Sequence, residues 1–324
     1  MPHVKPKVKK GNGPSVRTLG ALKGDDVVTL PSGEKIKVED AIKRGLHREI
    51  DPRQSEKPID RKDGYNSEVL RNRGRWNHRL MIGTPTTGSV RIEWVLARFG
   101  QVIPTNWSHS DCMQFLHTYA PMEYQVADAQ NLIVKTAIEQ GFEWLLLLEH
   151  DNVLPPGAFI KLNEYIRECK VPVVSGLYFT KSNPPEPMTY RGRGTGFYHE
   201  WKMGDKVWCD GVPTGTLLVH MSIIKALWDE SPEYRINDQV TRKVFETPAK
   251  VWTDPETAAV FTETGTSDLE FCSRIMRDKI FEKAGWPEYQ KMKYPFLVDT
   301  DLFVRHIDGN GVMFPQQHPT EIGF

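Results

Sequence analysis

The sequence has no apolar run long enough to cross a bilayer: its runs are short, as at Trp144 to Leu148, against the roughly 20 residues a spanning helix needs. No apolar stretch follows the basic N-terminus, so the pattern of a secretory signal is missing too. Both absences lead to the expectation of a soluble, cytoplasmic protein without a membrane span. Cysteine is scarce. The four, at positions 112, 169, 209 and 272, show no CxxC spacing and sit among apolar neighbours, which speaks for reduced, mostly buried thiols and against a zinc site or a disulfide framework. Neither charge is in excess, with 42 Lys and Arg against 42 Asp and Glu, and no internal repeat or long low-complexity tract is present.

What is there is a chain of 324 residues, enough for one large domain with an appendage or for two domains. The zero net charge hides an asymmetry. Residues 1–75 carry 18 basic and 11 acidic side chains, a balance of +7, leaving 24 and 31 in the remainder, a balance of −7. Within the basic end, residues 1–24 hold six Lys and Arg and no acid, interspersed with Gly and Pro. That is the composition of a flexible arm able to touch nucleic acid or another polyanion, and equally of a solvated tail without a partner. Residues 25–78 read as a small appendage and linker: Val27 to Leu30, a Pro31-Ser32-Gly33 turn, Lys35 to Val38 and a short helix from Glu39 to Arg44, followed by a charged stretch without periodicity.

From Arg79 to the last residue the pattern changes to alternating strands and helices. Leu80 to Gly83 reads as a strand, Val90 to Phe99 as a helix, Gln101 to Thr105 as a second strand and Val126 to Gln140 as a helix stopped by Gly141. Trp144 to Leu148 reads as a strand buried on both faces, Pro156 to Glu168 as a helix and Val171 to Tyr178 as another buried strand. This order predicts an α/β domain with a mostly parallel sheet flanked by helices, and a ligand site beyond the carboxyl ends of the strands.

The strongest chemical signal lies at such an end. The apolar strand stops abruptly in Glu149-His150-Asp151-Asn152, followed by Val-Leu-Pro-Pro. Two carboxylates one residue apart at the sheet's carboxyl edge suit one hard cation, magnesium or manganese, which takes oxygen ligands and leaves positions for phosphate. The same residues also suit a turn in which Asp151 caps the next helix. Later in the chain, His306 follows the apolar Leu302 to Val304 and precedes Asp308-Gly309-Asn310-Gly311. It reads either as a ligand closing over a metal or as a hydrogen-bonded strand-end histidine.

Several segments, in order, resemble the glycosyltransferases of the GT-A fold, family 2 in particular, over about residues 79–308. The Glu149-His150-Asp151 stretch resembles their Asp-x-Asp loop, and Ile82-Gly83-Thr84-Pro85-Thr86 their first strand and nucleotide-facing loop. Val126-Ala127-Asp128-Ala129-Gln130-Asn131 resembles the helix start beside the nucleotide base, and Asp210-Gly211-Val212-Pro213-Thr214-Gly215 the Gly-rich segment before the acceptor-side strand. Gly265 to Arg274 is similar to the Glu-Asp-x-x-φ-x-x-Arg helix, and Val304-Arg305-His306 to the late strand ending in a metal-binding His. The sequence departs from the family where Glu149 replaces the first Asp, Gln130 the usual Arg, and Ser267 the Glu of the Glu-Asp pair.

The resemblance implies a GT-A, Rossmann-like catalytic domain at 79–324 that moves a sugar from a nucleoside diphosphate sugar to an acceptor hydroxyl, with inversion. Asp151, His306 and Glu149 would hold Mn2+ or Mg2+; Asp268 would be the base; Thr84, Pro85, Asn106, Asp128, Asn131 and Glu149 would meet the donor. Asn106 shares its place after the second predicted strand with His109 and Asp111. The acceptor is left as a glycan, lipid, protein or modified nucleic acid. Ser267 and Glu270 also have capping-box spacing, by which Asp268 would only stabilise a helix start. Lys181, Arg191 and Arg193 are candidates to stabilise a departing diphosphate, Trp201, Trp208 and Trp252 to stack on a sugar, and Gly192 to Lys206 to form a lid. Two alternatives remain. A nucleotidyltransferase would need a basic phosphate loop, yet Gly83 to Gly88 has no Lys or Arg before Arg91. A non-catalytic carbohydrate- or nucleic-acid-binding protein on the same scaffold would use the basic N-terminus as an anchor.

Overall fold

The computed structural model describes residues 25, 27–46, 78–104, 113, 115–192, 196–253, 255–257 and 259–324. They divide between two compact units, residues 25 and 27–46 in one and those from 78 onward in the other. In the first, β1 (Val27–Thr29) pairs antiparallel with β2 (Lys35–Lys37) across the turn at Pro31 to Gly33, and α1 (Val38–Lys43) follows at once. Val28, Leu30, Ile36, Val38 and Ala41 form its small core, as the hairpin and helix expected from the sequence require.

The second unit opens with β3 (Arg79–Gly83), α2 (Ile92–Phe99), β4 (Phe115–Tyr119), α3 (Val126–Glu139) and β5 (Trp144–Leu148). A short β6 (Asn152–Val153), α4 (Ala158–Glu168), β7 (Val173–Leu177), β8 (Lys206–Cys209), β9 (Thr216–His220) and α5 (Met221–Glu230) follow. Two antiparallel hairpins come next, β10 (Glu233–Ile236) with β11 (Gln239–Arg242), and β12 (Ala249–Thr253) with β13 (Val260–Thr264). The chain then forms α6 (Ser267–Arg277), α7 (Ile280–Lys283), α8 (Pro287–Gln290), β14 (Phe296–Phe303), β15 (Arg305–Ile307) and β16 (Met313–Phe314). Seven strands make the central sheet in the order β4-β3-β5-β9-β7-β14-β8. The ladders run β4, β3, β5, β7 and β14 in one direction and only β8 and β9 against it. This is the mixed α/β, Rossmann-like architecture with a mostly parallel sheet that the alternating pattern predicts.

Helices cover both faces, which is why β5 is apolar throughout. Leu145 and Leu147 pack with Ile133 and Val134 of α3, Ile224 of α5 and Phe271 of α6. Trp144, Leu146 and Leu148 face the other way, toward Trp94 of α2 and Phe159 and Leu162 of α4. Among the described residues no helix is long and apolar enough to cross a membrane.

One predicted strand is not where the apolar pattern puts it. Residues 101–104 carry no strand, and Phe115–Tyr119 takes the place beside β3. Gln101 instead turns its amide onto the carbonyls of Ala97 and Pro155, at 2.8 and 3.0 Å, and Pro104 has no N–H to give to a ladder.

Polar side chains hold the α6 face together. Arg274 is buried and donates to the carbonyls of Lys243 and Val244 at 2.5 and 3.0 Å and to the Ser231 hydroxyl at 2.8 Å. Its family-like position therefore reads as a clamp between α6 and the segments around β11. Truncating it strands buried acceptors, so Arg274→Ala is expected to lower stability by about 3 kcal/mol in urea denaturation, with the secondary structure seen by circular dichroism retained.

Candidate functional site

The loop after β5 is fixed from several directions. Its residue Glu149 donates its backbone N–H to the Gly215 carbonyl at 2.9 Å, and its own carbonyl accepts from Trp94 Nε1 at 2.9 Å. His150 Nδ1 lies 3.2 Å from the Pro85 carbonyl, tying the loop to the segment after β3. Directly beyond, β6 pairs antiparallel with β15, Asn152 opposite His306 and Val153 opposite Arg305, and the Ile307 N–H donates to the Asp151 carbonyl at 2.8 Å. This ladder brings a histidine more than 150 positions away in sequence against the acidic loop.

Glu149, Asp151 and His306 consequently form one cluster, with a ligand atom from each lying within 4.8 Å of the others. His306 is suited to coordination. Its Nδ1 sits 2.7 Å from the Phe179 carbonyl, which can only accept, so Nδ1 carries the proton and Nε2 the lone pair. Its ring also stands edge-on to Tyr178 at 4.8 Å. Burial lowers the His306 pKa, against the opposing pull of Asp151, and so favours the neutral form that a metal needs. Burial, then the charges of Asp151 and Asp268, push the Glu149 carboxyl up to about 8. Lys181 Nζ is 2.5 Å from Asp151 Oδ2, so the ammonium answers one carboxylate and leaves the other short of positive charge. Two carboxylates and a neutral imidazole are a donor set that fits Mg2+ or Mn2+.

Asp268 stands on the rim of the same site, in the first turn of α6. Its charge is felt by Glu149, Tyr178 and Tyr190, and its own pKa is raised by burial against hydrogen bonds from Thr266 and the Leu269 backbone. Oδ1 accepts the Leu269 N–H at 2.9 Å. The capping box of Ser267 and Glu270 does not form: the N-cap is Thr266, Ser267 is already helical, and Glu270 pairs with Arg277 at 3.3 Å. Asp268 thus keeps one oxygen for the helix start while its charge acts on the cluster.

The other predicted residues divide. Thr84 and Pro85 lie on the loop that the β5 end contacts; Thr84 is buried, and its hydroxyl has no partner among the described residues. Asp128 accepts from Tyr234 OH at 2.7 Å and lines a separate cavity of about 440 Å3 with Tyr124 and Asn237. Asn131 faces the core. It donates from Nδ2 to the Phe245 carbonyl, takes the Phe245 N–H on Oδ1, both at 2.8 Å, and donates to Tyr234 OH at 2.9 Å. A fully engaged, buried amide holds the segment after β11 rather than a ligand, which corrects its assignment to the donor. Gln130 is buried and donates to Thr214 Oγ1 at 3.0 Å. Arg191 is taken up by packing over Tyr198 at 3.7 Å and by the Trp208 carbonyl, and Trp201 is buried with its ring stacked on Phe324 at 4.5 Å. Trp208, half-buried, packs against Tyr289. Residues 1–24, Asn106, His109, Asp111, Cys112, Arg193 and the Trp252 side chain lie outside the described residues.

Two site residues escape the sequence reading. Tyr178 packs on His306 and accepts the Gly215 N–H at 2.7 Å, and Phe179 sets the histidine tautomer through its backbone; their only signal is their place directly after β7. Cys169, Cys209 and Cys272 are free thiols. Cys169 does meet Glu143 and His220 at the opposite end of β5. There His220 Nδ1 accepts the Ser222 N–H at 3.2 Å, which places the ring proton on Nε2 and makes this histidine a poor ligand.

No protein-family model and no curated protein matches the sequence. Among solved structures, A197 from STIV aligns with a TM-score of 0.44 at 14% identity, over 74% of this chain and 92% of that one. A glycosyltransferase involved in the glycosylation of the major capsid of PBCV-1 aligns with a TM-score of 0.25 at 16% identity, over 47% and 66%. A third, from Bacillus anthracis and named for glucose-1-phosphate thymidylyltransferase activity, gives 0.26 at 8% identity, over 47% and 75%. The neighbours thus include a glycosyltransferase and a nucleotidyltransferase, and at these scores none fixes an activity.

The raised Glu149 pKa has a measurable consequence. Between the ordinary glutamate pKa and about 8 the folded protein holds a proton that the unfolded chain has lost, so ionising Glu149 favours unfolding. In EDTA, stability is expected to fall as pH rises through that window, and Glu149→Gln to flatten the fall, read by urea denaturation at several pH values.

Proposed function

We propose that the protein is a metal-dependent glycosyltransferase that moves a sugar from a nucleoside diphosphate sugar to an acceptor hydroxyl with inversion. The observation that supports this most directly is the convergence of Glu149, Asp151 and His306, with the His306 tautomer fixed by the Phe179 carbonyl. These three would hold the cation. A divalent ion there supplies charge to offset that growing on a departing diphosphate.

The remaining chemistry belongs to the chain itself. Asp268 takes the proton of the acceptor hydroxyl as its oxygen attacks the anomeric carbon, on the face opposite the leaving group. Its raised pKa suits that role, since a more basic carboxylate accepts a proton more readily. Lys181 sits beside Asp151, a place from which an ammonium can meet phosphate oxygens. Thr84 and Pro85, on the loop that His150 contacts, would meet the nucleotide. Sugar transfer is preferred over nucleotidyl transfer because the segment Gly83 to Gly88 offers no basic side chain.

The test is release of nucleoside diphosphate from a panel of nucleotide sugars, with and without Mn2+. Metal-dependent release from one donor is expected, lost in Asp151→Asn with the fold intact. Asp268→Asn is expected to keep donor binding and lower turnover by roughly 10²- to 10⁴-fold. Absence of donor binding under all conditions defeats the proposal, and near-wild-type turnover in either variant removes that residue from the mechanism.

A further inference from the structure

Helix α2 has two unlike faces. Inward, Trp94 and Arg98 are buried, and Trp94 Nε1 donates to the Glu149 carbonyl at 2.9 Å. Just before the helix, Arg91 Nη1 donates at 2.9 Å to the carbonyl of Gly309, on the loop that follows His306. Outward, Ile92, Leu96 and Phe99 recur at the spacing of a single helix face, and they are 61%, 66% and 65% exposed. Val90 before the helix and Val102 beyond it extend the apolar stripe, at 44% and 68% exposed.

The order of the residues selects the occupant. Val90, Ile92, Leu96, Phe99 and Val102 are disposed almost symmetrically about Leu96. Two copies of the helix laid antiparallel therefore set Leu96 against itself and Ile92 against Phe99 of the second copy. A twofold contact requires such a self-complementary surface. Its charges do not oppose it: Arg91 and Glu93 hold each other through hydrogen bonds of 3.1 and 3.0 Å, and in this register they come opposite Gln101 and Phe99. The Phe99 ring is steadied edge-on to Trp94 at 6.3 Å. A lipid surface fits less well, because a helix lying in it carries Lys and Arg on its polar face. Residues 90–102 hold no Lys, Arg91 is engaged by Glu93 and Gly309, and Arg98 is buried.

The area suffices for a reversible contact. A fully buried Val, Leu, Ile or Phe side chain removes roughly 60–120 Å2 of apolar surface from water, so five that are partly exposed offer on the order of 200–350 Å2 per copy. Two copies together lose on the order of 400–700 Å2, close to the apolar share of an interface of about 1,000 Å2. That size lies at the lower limit for specific protein contacts, which makes the association dependent on concentration.

We infer that the outer face of α2 is the interface of a twofold dimer, and that its occupant is α2 of a second copy of this chain. The second copy docks on the back of the helix whose inner side supports the Glu149 carbonyl and whose N-terminal flank holds the Gly309 loop. This contact is independent of the reaction assigned to the site.

The experiment is sedimentation velocity on the full chain over a wide range of concentration. Wild type is expected to pass from monomer to dimer as concentration rises. Leu96→Glu, which sets two carboxylates against each other at the centre of the contact, is expected to raise the dissociation constant at least about tenfold with the circular dichroism unchanged. In parallel, a short bis-maleimide is expected to join Leu96→Cys to its own copy but not Val260→Cys, which is 70% exposed on β13. A monomer at every concentration, a dimer that Leu96→Glu leaves intact, or equal cross-linking of the two cysteine variants each overturns the assignment. Adsorption of monomeric wild type to phosphatidylcholine vesicles, lost in Leu96→Glu, overturns it as well and makes the stripe a lipid-facing surface.

Discussion

The pairing of β6 with β15 is the constraint on which the site depends. Without it, Glu149 and Asp151 are two acids on a loop, and His306 is a histidine at the end of a distant strand. Two facing residue pairs and the Ile307 N–H on the Asp151 carbonyl convert them into a single donor set. The pairing works because the loop after β5 is itself held, by Trp94 and Gly215 at Glu149 and by Pro85 at His150. Backbone hydrogen bonds leave little freedom at either end, so the three side chains start from fixed positions.

Burying a carboxylate beside others has an electrostatic cost, and its signature is the Glu149 carboxyl, pushed up to about 8 by burial first and then by the charges of Asp151 and Asp268. Lys181 pairs with Asp151 directly and offsets the rise at Glu149 only in part. A bound cation would act on both, so the same residues that destabilise the empty cluster at neutral pH would favour ion binding.

How much of this the sequence reveals depends on whether a feature is local. β5 and the carboxylates after it are legible because a strand buried on both faces must be apolar, and its end is marked by the first residues that are not. His306 is legible only by resemblance, since nothing in its neighbourhood specifies Asn152 as its opposite. Gln101 to Thr105 misleads because a few apolar residues around Pro104 imitate a strand while Gln101 closes onto α2. Asn131 misleads for a different reason: an amide near a helix start suits a ligand or a core clamp equally well, and only the position of Phe245, 114 residues later, decides between them. Ser267 and Glu270 have the spacing of a capping box, but Arg277 offers Glu270 a charged partner and the box does not close.

The reversed strand β9 explains why a glycine stands at the centre of the arrangement. Parallel strands bring the loops that follow them to the carboxyl edge of a sheet. An antiparallel strand placed among them brings the loop that precedes it. Because β9 runs between β5 and β7 with Thr216 opposite Leu148, the segment Asp210 to Gly215 arrives beside the acidic loop from the other chain direction. Space there is minimal: a Cβ on Gly215 would stand 2.4 Å from Asn152 Nδ2 and 2.5 Å from Tyr178 OH. Gly215 accepts from Glu149 on one side and donates to Tyr178 on the other, and Tyr178 packs on His306. One residue without a side chain therefore links the acid-bearing loop to the ring that borders the histidine. The choice of glycine follows from the direction of a single strand.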